Sequence, residues 1–514
     1  MAEEKIPTKG LARETLNGLL WMFSGTGVQA VLQILVLIIL ARLIAPEKFG
    51  IVSASLVIVS FSEIFTKLGV GPAVVQFSKL EERHIRTGFT IILIVGLVIA
   101  GAIVFFSPLI AFFFHMEELT VILRVISIVF PLRATAVIAE SLLQREMKFR
   151  WLANIHVLSY AIGFGVIGVF LAVMGLGVWA LVGANIAQTC LQSLTIIALK
   201  PHPKKMLLER RALRELLFFG TGFTLARIGN YVALQGDNLV VGRWLGAEAL
   251  GLYGRAYHLM SGPATLFGHV LDKVLFPAMA KVQNDTDRLR SAYRKGITLI
   301  SIIVLPLSSI LIVLAPEIVN VFLGEAWAEV VVPFQIMALG MLFRTSYKMS
   351  DSLARATGAV YRRAWRQWCY ALLVIIGAYF GQKQGINGVA VGVLVAITVN
   401  FSLMAHLSLS ITSMTYLSFF LVHLPSFILS ITVGLVAWVA ANILRNVGFH
   451  AIAIIFITGV MALGTITVLF AFLYSYFLGE DGIWMIREIK NVFGYLQKNR
   501  KGFFGLHYRM RKKF

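Results

Sequence analysis

The sequence predicts an all-α polytopic membrane protein with 14 transmembrane helices, arranged as two parallel six-helix bundles plus two extra C-terminal helices. Three observations lead to this fold class. Of 514 residues, 58% are hydrophobic and 14% are charged, against roughly 25% charged in a soluble domain. Apolar runs of about 18 or more residues recur from end to end, and each could cross the hydrocarbon core as a helix. Finally, patterns in the first half of the chain recur in the second.

The duplication is visible in three segments that repeat in the same order. ARLIAPEKFGIV at 41–52 matches GRWLGAEALGLY at 242–253, RATAVIAESL at 133–142 matches RTSYKMSDSL at 344–353, and GLGVWALVG at 175–183 matches GINGVAVGV at 385–393 with one inserted residue. Six helices per copy is an even number, so the second copy should enter the membrane in the same direction as the first. Transporters are commonly built from such repeats, with the substrate site where the copies face each other.

The apolar runs and the repeat predict a domain organisation. The predicted parts are an N-lobe at 14–199, an amphipathic inter-lobe linker at 200–213, a C-lobe at 214–411, two further helices within 417–478, and a basic interfacial segment at 479–514. The linker mixes leucines with basic residues, so we expect a helix lying on the inner membrane surface.

The basic residues predict the orientation. Most of the 46 Lys and Arg residues fall in the tails and in loops that face inward if the N-terminus is inside. This excess predicts that both termini are cytoplasmic. The net charge of +21 is then a topology signal together with adhesion to anionic membrane lipids. Because the cations are spread over many short segments, no nucleic-acid partner is predicted.

The short loops exclude several classes of protein. No loop could form a soluble catalytic domain, and no GxxxxGK[ST] phosphate-binding motif occurs. Cys190 and Cys369 both lie within apolar spans, so neither a disulfide framework nor a metal site is predicted. The sequence therefore predicts a protein that is not an enzyme and uses no cofactor, and that moves a substrate across the membrane.

Charged residues inside the spans are the candidate site. The basic ones are Lys67, Arg124, Arg133, Arg227, Arg255, Lys273, Arg344 and Lys348. Each would cost roughly 2.5–3.5 kcal/mol at the centre of a lone helix, so each needs a partner or a water-filled cavity. Four charges, Arg344, Lys348, Asp351 and Arg355, lie at offsets of 0, 4, 7 and 11 and so share one helix face.

Two interpretations compete for these charges. The first is internal pairing, of Glu63 with Lys67, of Asp272 with a neighbouring helix, and of Glu140 and Asp351 with loop arginines. The second is a cationic cavity lined by Arg133, Arg227 and Arg344, with Lys67, Arg255 and Lys348 next in rank. Glu63, Asp237 and Asp272 are coupling or structural carboxylates, and Asp237 either couples ions or stabilises a break in its span.

The excess of cationic over acidic residues within the spans favours an anionic substrate. Within the spans, cations outnumber carboxylates, and arginine can bind phosphate oxygens with two parallel hydrogen bonds. An exporter of cationic drugs would be expected to show the opposite balance.

Four segments carry a family resemblance: LARLIAPEKFG at 40–50, GVGPAVVQ at 69–76, QREMKFRWLA at 144–153 and DNLVVGRWLGAEALGLYGRAY at 237–257. On these, the chain from about 14 to 411 resembles polysaccharide-transport flippases of the multidrug/oligosaccharidyl-lipid/polysaccharide exporter superfamily, of the O-antigen and colanic-acid type. The resemblance implies a V-shaped, alternately opening cavity. It also implies transfer of an undecaprenyl-pyrophosphate-linked oligosaccharide from the cytoplasmic to the outer leaflet of a bacterial inner membrane. Other glycan-assembly proteins are candidate partners.

Two alternatives remain open at this point. A cation-coupled multidrug exporter would share the architecture and would need a working carboxylate, for which Glu63 and Asp237 are the candidates. A membrane-embedded glycan polymerase or ligase would need a larger outward loop than this chain offers.

Overall fold

The computed structural model describes residues 27–472 apart from 68, 78, 79 and 204, and within this range the side chains of 67, 217–227, 263–278, 281 and 360 lie outside the description. The described residues are almost entirely helical and contain no β-strand. The α-helices are α1 (Gly27–Leu43), α2 (Pro46–Lys67), α3 (Val70–Gln76), α4 (Glu82–Phe114), α5 (Glu118–Ile126), α6 (Val129–Arg145), α7 (Phe149–Tyr160), α8 (Val169–Val173), α9 (Val178–Leu199), α10 (Arg210–Trp244), α11 (Gly246–Lys281), α12 (Thr286–Val313), α13 (Ala315–Phe322), α14 (Val331–Leu339), α15 (Met341–Ala356), α16 (Val360–Gly381), α17 (Gly385–Thr412), α18 (Tyr416–Val447) and α19 (Ala451–Phe472).

The helices confirm a polytopic membrane protein. Among the described residues, nine helical stretches are long and apolar enough to cross a membrane. A tenth is formed if Glu325–Leu339 and Met341–Ala356, which meet at a bend of 42°, are taken as one span. The number of 14 crossings stays a prediction.

The segment between the two sequence repeats is not the surface helix that the sequence predicted. In the described part of 201–209 there is no helix, and α10 begins only after it. This extended strap lies against the first turns of α4, where the Leu207 N–H donates to Thr90 Oγ1 (3.1 Å) and the Glu209 N–H donates to Thr87 Oγ1 (3.3 Å). Side-chain hydroxyls therefore satisfy backbone groups that a helix would have satisfied internally.

The chain forms two compact units. Among the described residues, the first comprises 27–266, 315–337 and 364–400, and the second comprises 267–314, 338–363 and 401–472. The first unit thus combines the first sequence repeat with parts of the second. The predicted lobe boundaries, 14–199 and 214–411, stay a prediction.

The core of the first unit includes a broken helix. The chain leaves α2 through Gly69, whose positive φ of 67° suits glycine, and continues as the short α3. Val70, Val74 and other apolar residues of α3 pack with α4 and α6. Arg145 at the end of α6 donates to the carbonyl oxygens of Val74 (3.0 Å) and Phe77 (2.5 Å). A cation thereby satisfies carbonyls that the end of α3 leaves free.

Positions related by the sequence repeat meet each other in this unit. A Cβ atom at Gly50 of α2 would overlap the carbonyl oxygen of Ala247, and a Cβ atom at Gly251 of α11 would overlap the carbonyl oxygen of Pro46. The two contacts exchange under the 201-residue shift of the repeat. Here α2 and α11 therefore cross at backbone distance with local two-fold symmetry, and we call this contact the glycine crossing. Its closeness requires glycine on both helices.

Polar contacts between the two repeats flank the glycine crossing. The Arg42 guanidinium donates to the Val321 carbonyl (2.9 Å), and the Arg243 guanidinium donates to His115 Nδ1 (2.6 Å). Arg42 and Arg243 are themselves repeat-related, and each contacts the other repeat. Their partners, a backbone carbonyl and an imidazole, do not correspond under the 201-residue shift.

A π-helix interrupts one span of the first unit. Between α7 and α8 the chain forms a π-helix at Ala161–Gly168, which packs against α9. A Cβ atom at Gly163 would lie 2.7 Å from Gln188 Cβ, and one at Gly168 would lie 2.9 Å from Ala184 Cβ. Glycine at these positions lets the two backbones approach closely. π-helical turns are rare and are frequent at functional sites.

The second unit is built around α12, α18 and α19. Ile302, Leu429, Val433 and Ala462 form their shared apolar core. The two last predicted membrane helices therefore pack on a helix of the second repeat.

Glu146 ties the end of α6 to the end of α9, outside the spans. Its carboxylate pairs with Lys148 (2.7 Å) and with Lys200. Hydrogen bonds from these two ammonium groups lower the pKa of the Glu146 carboxyl.

Gly50→Ala should lower the melting temperature of the purified protein by several degrees, because overpacking of a close contact typically costs about 1–3 kcal/mol. Gly101→Ala is the matched control, since a Cβ atom on that helical glycine of α4 meets nothing within 4 Å. Equal melting temperatures for the two variants would contradict the glycine crossing.

Glu146→Gln should lower the melting temperature at pH 7 by at most a few degrees, since exposed ion pairs contribute about 0–1 kcal/mol. Because the folded-state pKa is lowered, the stabilisation is present above the unfolded value of about 4.3 and is lost as the pH falls through the folded value. The difference between wild type and variant should therefore shrink from pH 7 to pH 4 and below. A difference that grows on acidification would contradict this assignment.

Candidate substrate-binding site

Arg133 on α6 pairs with Glu63 on α2. Its guanidinium donates to Glu63 Oε1, and the two side chains retain 34% and 18% of their exposure. Arg133 has no carboxylate within one turn on its own helix α6, and its partner Glu63 comes from α2. Arg133 is therefore a paired charge in the structure, its guanidinium stays partly accessible, and its role in substrate binding stays a prediction. Lys67, the partner predicted for Glu63, has a side chain outside the described set.

Arg255 on α11 is a half-buried cation with unused hydrogen-bonding capacity. Its guanidinium carbon lies 4.3 Å from the ring centroid of Phe49, which is buried on α2. Tyr160, at the end of α7, lies near Arg255. Its Nε is buried without a hydrogen-bond partner among the described residues. A guanidinium held on an aromatic face with an unmet donor is suited to binding an anion.

Asp237 is a buried carboxylate between α10 and α11, with a relative exposure of 2%. Its oxygens accept hydrogen bonds from the Tyr253 hydroxyl (2.8 Å) and from the Asn238 N–H (2.9 Å). The predicted alternative that Asp237 stabilises a break in its span is wrong, because α10 runs without interruption from Arg210 to Trp244. The carboxylate instead joins neighbouring helices through a hydrogen bond that the hydrocarbon environment strengthens.

In the second unit, the predicted charged face of α15 is present. Arg344, Lys348, Asp351 and Arg355 are all half-buried, while most positions between them are buried. Asp351 accepts from Arg355 (3.1 Å) and from Arg363 at the start of α16. Asp351 therefore pairs with arginines as expected, but these arginines lie on helices α15 and α16 and not in a loop. Arg344 and Lys348 also take part in polar contacts, so neither is an isolated charge.

The structure does not describe the side chains of three predicted site residues. Lys67, Arg227 and Asp272 lie on described helices, but their side chains do not belong to the described set. Their roles stay predictions. Arg133 and Arg344 belong to different compact units, and their expected meeting in one cavity also stays a prediction.

The first unit also contains a group of neutral polar residues, which the search for charged residues did not find. His156 and Tyr160 on α7, with Asn185, Gln188 and Gln192 on α9, form what we call the polar seam. The Gln192 amide nitrogen and His156 Nδ1 lie 3.2 Å apart, and Asn185 Oδ1 is buried without a partner in the described residues. A signal was present in the sequence, because the three α9 residues recur at offsets of 0, 3 and 7 within an apolar run.

The fold and its buried charges define a polytopic α-helical membrane protein with polar groups inside the spans, the class to which transporters belong. The chain belongs to a family described as "Polysaccharide biosynthesis protein", which matches residues 39–332, more than half of its length. This membership confirms the resemblance drawn from the sequence segments.

Individual relatives agree with the family. The chain is 25% identical over 396 residues to "Lipopolysaccharide biosynthesis protein WzxC" of Escherichia coli (strain K12), covering 76% of this chain and 80% of that one. It is 22% identical over 437 residues to "Teichuronic acid biosynthesis protein TuaB" of Bacillus subtilis (strain 168), covering 83% of this chain and 89% of that one.

Solved structures share the fold. A structure of the lipid II flippase MurJ in an inward closed conformation superposes with a TM-score of 0.72 at 17% identity, covering 88% of this chain and 99% of that one. An inward-facing multidrug resistance transporter of the MATE family, from the MOP superfamily, superposes with a TM-score of 0.60 at 17% identity. The match covers 75% of this chain and 96% of that one. At these identities the likeness shows a common architecture.

The Arg133–Glu63 pair can be tested by a double-mutant cycle. Arg133→Gln or Glu63→Gln alone should destabilise the purified protein, since an unmet desolvated partner costs about 1–3 kcal/mol. The double variant should be less destabilised than the sum of the two single changes, because it leaves no unpaired charge. Melting temperatures in detergent measure the three effects. Strict additivity would show that the two groups do not interact.

Proposed function

We propose that this protein is a flippase that moves a lipid-linked oligosaccharide, built on undecaprenyl pyrophosphate, from the cytoplasmic to the outer leaflet of a bacterial inner membrane. The observation that carries the proposal is the membership of a polytopic helical chain in a polysaccharide biosynthesis family. The shared fold with a lipid II flippase supports it, since that protein also handles a lipid-linked saccharide according to its name.

Physical chemistry supports an anionic head group as the part that needs protein. A pyrophosphate loses its hydration on entering hydrocarbon, and an isolated ion there is prohibitively costly. Guanidinium groups can replace that water with charge-assisted, bidentate hydrogen bonds. The polyprenyl tail needs no such help, because it can stay in the bilayer while the head group crosses.

The described cations differ in their suitability for the phosphates. Arg255 ranks first, because its buried Nε lacks a partner among the described residues and its guanidinium lies on an aromatic ring. Arg344 and Lys348 share the half-buried face of α15 and follow next. Arg133 can bind substrate only in competition with Glu63. Arg227 and Lys67, with undescribed side chains, remain candidates from their place in the sequence.

We infer that the glycine crossing is a closed contact on the outer side of the membrane. It lies beside Arg42 and Arg243, which fall in loops that the distribution of basic residues predicts to face outward. Opening the protein on that side would require α2 and α11 to separate at Gly50 and Gly251. Rocking of the two repeats against each other would provide such a separation.

Fourteen crossings with both termini inside are the topology that we propose. The 52-residue stretch Tyr361–Thr412 contains two helices, α16 and α17, and so supplies two crossings. Helices α10 and α11, of 35 and 36 residues, are each more than ~50 Å long and could cross despite their polar residues. With α1 and the bent Glu325–Ala356 segment, these additions bring the total to 14.

The multidrug exporter is less well supported. Such a protein would need an available carboxylate, yet Glu63 is paired with Arg133 and Asp237 accepts from Tyr253. An anionic substrate needs cations, and Arg255 offers an unmet donor. The pairing pattern therefore favours the flippase.

Arg255→Ala, Arg344→Ala and Arg227→Ala should each reduce glycan export at least tenfold while the protein still inserts. The physical reason is the loss of a charge-assisted contact with phosphate. Export is measured as surface glycan in a strain that lacks its own copy of the gene, at matched membrane abundance. Arg124→Ala is the control, because this exposed cation donates to Ser107 of a neighbouring helix and has no proposed substrate role. Normal export in all three variants would remove the phosphate-binding assignment.

A further inference from the structure

We propose that the polar seam is a binding site for the sugar part of the substrate, selective for neutral hexose or N-acetylhexosamine units. This inference rests on the flippase function proposed above. It assigns a second chemical role, recognition of hydroxyl and amide groups, to side chains that carry no charge.

The seam lies on other sides of α7 and α9 than the most exposed leucines of these helices. Along α9, Leu194 is 61% exposed, and at 100° per residue it lies roughly 120–200° around the helix from Asn185, Gln188 and Gln192. The same holds on α7, where Leu158 is 60% exposed and lies about 200° from both His156 and Tyr160. All seam residues nevertheless keep intermediate exposure. Their exposed surface therefore points away from Leu194 and Leu158.

The seam has hydrogen-bonding capacity that the protein does not use. If these side chains served only to join α7 to α9, their polar atoms would satisfy one another. Gln192 and His156 do lie within bonding distance, but Asn185 Oδ1 is buried without a partner among the described residues. An unmet buried acceptor costs about 1–3 kcal/mol. Sugar hydroxyls can donate and accept, so they complement amides of this kind.

The backbones of the π-helix and α9 touch beside the seam. Gly163 of the π-helix lies against Gln188, so that any larger residue there would collide with the Gln188 backbone and Cβ. Tyr160 directly precedes the π-helix and stacks on Phe164, with centroids 5.1 Å apart and planes at 15°. A flat aromatic face beside amide groups offers both kinds of surface that a pyranose ring presents, apolar C–H faces and polar edges.

The seam also lies near the candidate phosphate site. Tyr160 of the seam is a neighbour of Arg255, whose guanidinium lies over Phe49. In a lipid-linked saccharide, pyrophosphate is bonded directly to the first sugar. A cation followed by neutral amides therefore matches the order of groups in that head group. Because the seam itself contains no carboxylate, lysine or arginine, it fits neutral sugars better than uronic acids.

Binding of two defined lipids tests the proposal. Undecaprenyl pyrophosphate and undecaprenyl pyrophosphate bearing one N-acetylglucosamine are titrated into the full-length protein in lipid nanodiscs, and Kd is measured by tryptophan fluorescence. Wild type should bind the sugar-bearing lipid about tenfold more tightly than the bare lipid. Asn185→Leu and Gln188→Leu should bring this ratio close to one and leave the Kd of the bare lipid unchanged. Arg255→Ala should weaken binding of both lipids.

Controls separate the possible failures. Leu194→Ala, on the lipid-facing side of α9, should leave both affinities unchanged. A ratio near one in wild type, or equal weakening of both lipids in the seam variants, would overturn the seam assignment while leaving the flippase intact. Wild type that binds neither lipid would overturn the proposed function itself, and the seam assignment with it.

A second measurement covers variants that fail to fold. Gln188→Cys, in a background where Cys190 and Cys369 are serine, should react with a water-soluble methanethiosulfonate reagent. The sugar-bearing lipid should slow this reaction at least threefold, whereas the bare lipid should not. Leu158→Cys, the lipid-facing control, should stay unreactive to the same reagent. An unreactive Gln188→Cys, or one that both lipids protect equally, would reject the sugar site.

Discussion

The absence of water in the bilayer core is the constraint on which this structure depends. Every buried polar group must find a partner within the protein or within its substrate, because hydrocarbon supplies none. Glu63 meets Arg133 from another helix, and Asp237 meets the hydroxyl of Tyr253. Arg255 differs, since an aromatic ring supports its guanidinium but its Nε stays unmet among the described residues. Satisfied groups hold helices together, and the unmet Nε is one reason why Arg255 is proposed as a substrate contact.

Close backbone approach is the second device in this fold. In lipid, helices gain little from burying apolar side chains against each other, so small residues that let backbones touch contribute much of the association. Gly50 and Gly251 provide such a contact between the two repeats, and Gly163 and Gly168 provide another between the π-helix and α9. In the proposed mechanism the first contact opens during transport, whereas the second lies beside the seam.

The proposed cation site and the polar seam together account for a head group of mixed chemistry. A pyrophosphate requires charge, whereas sugars require neutral donors and acceptors with an apolar face. Tyr160 of the seam lies near Arg255. In the proposal, neighbouring residues of the first unit hold the two parts of a lipid-linked saccharide.

Local failures show where sequence patterns were insufficient. The strap at 201–209 looked amphipathic, but Pro201 and Pro203 disfavour helix at and before their positions. The partner of Arg133 could not be found from spacing, because spacing reports neighbours on one helix only. The three α9 residues of the polar seam recur at helical spacing in the sequence. Uncharged residues inside a span are a weaker indication of a site than charged ones.

By itself, the sequence determined the all-helical membrane class, the repeat, the family and the shared face of Arg344, Lys348 and Asp351, because hydrophobic runs and helical periodicity are local properties of a chain. Tertiary structure alone decided that Glu63 pairs with Arg133, that Gly50 and Gly251 touch their counterparts' helices, and that Tyr160 comes close to Arg255. These contacts join residues about 70 to 200 positions apart, so they depend on how the helices pack, which no local pattern encodes.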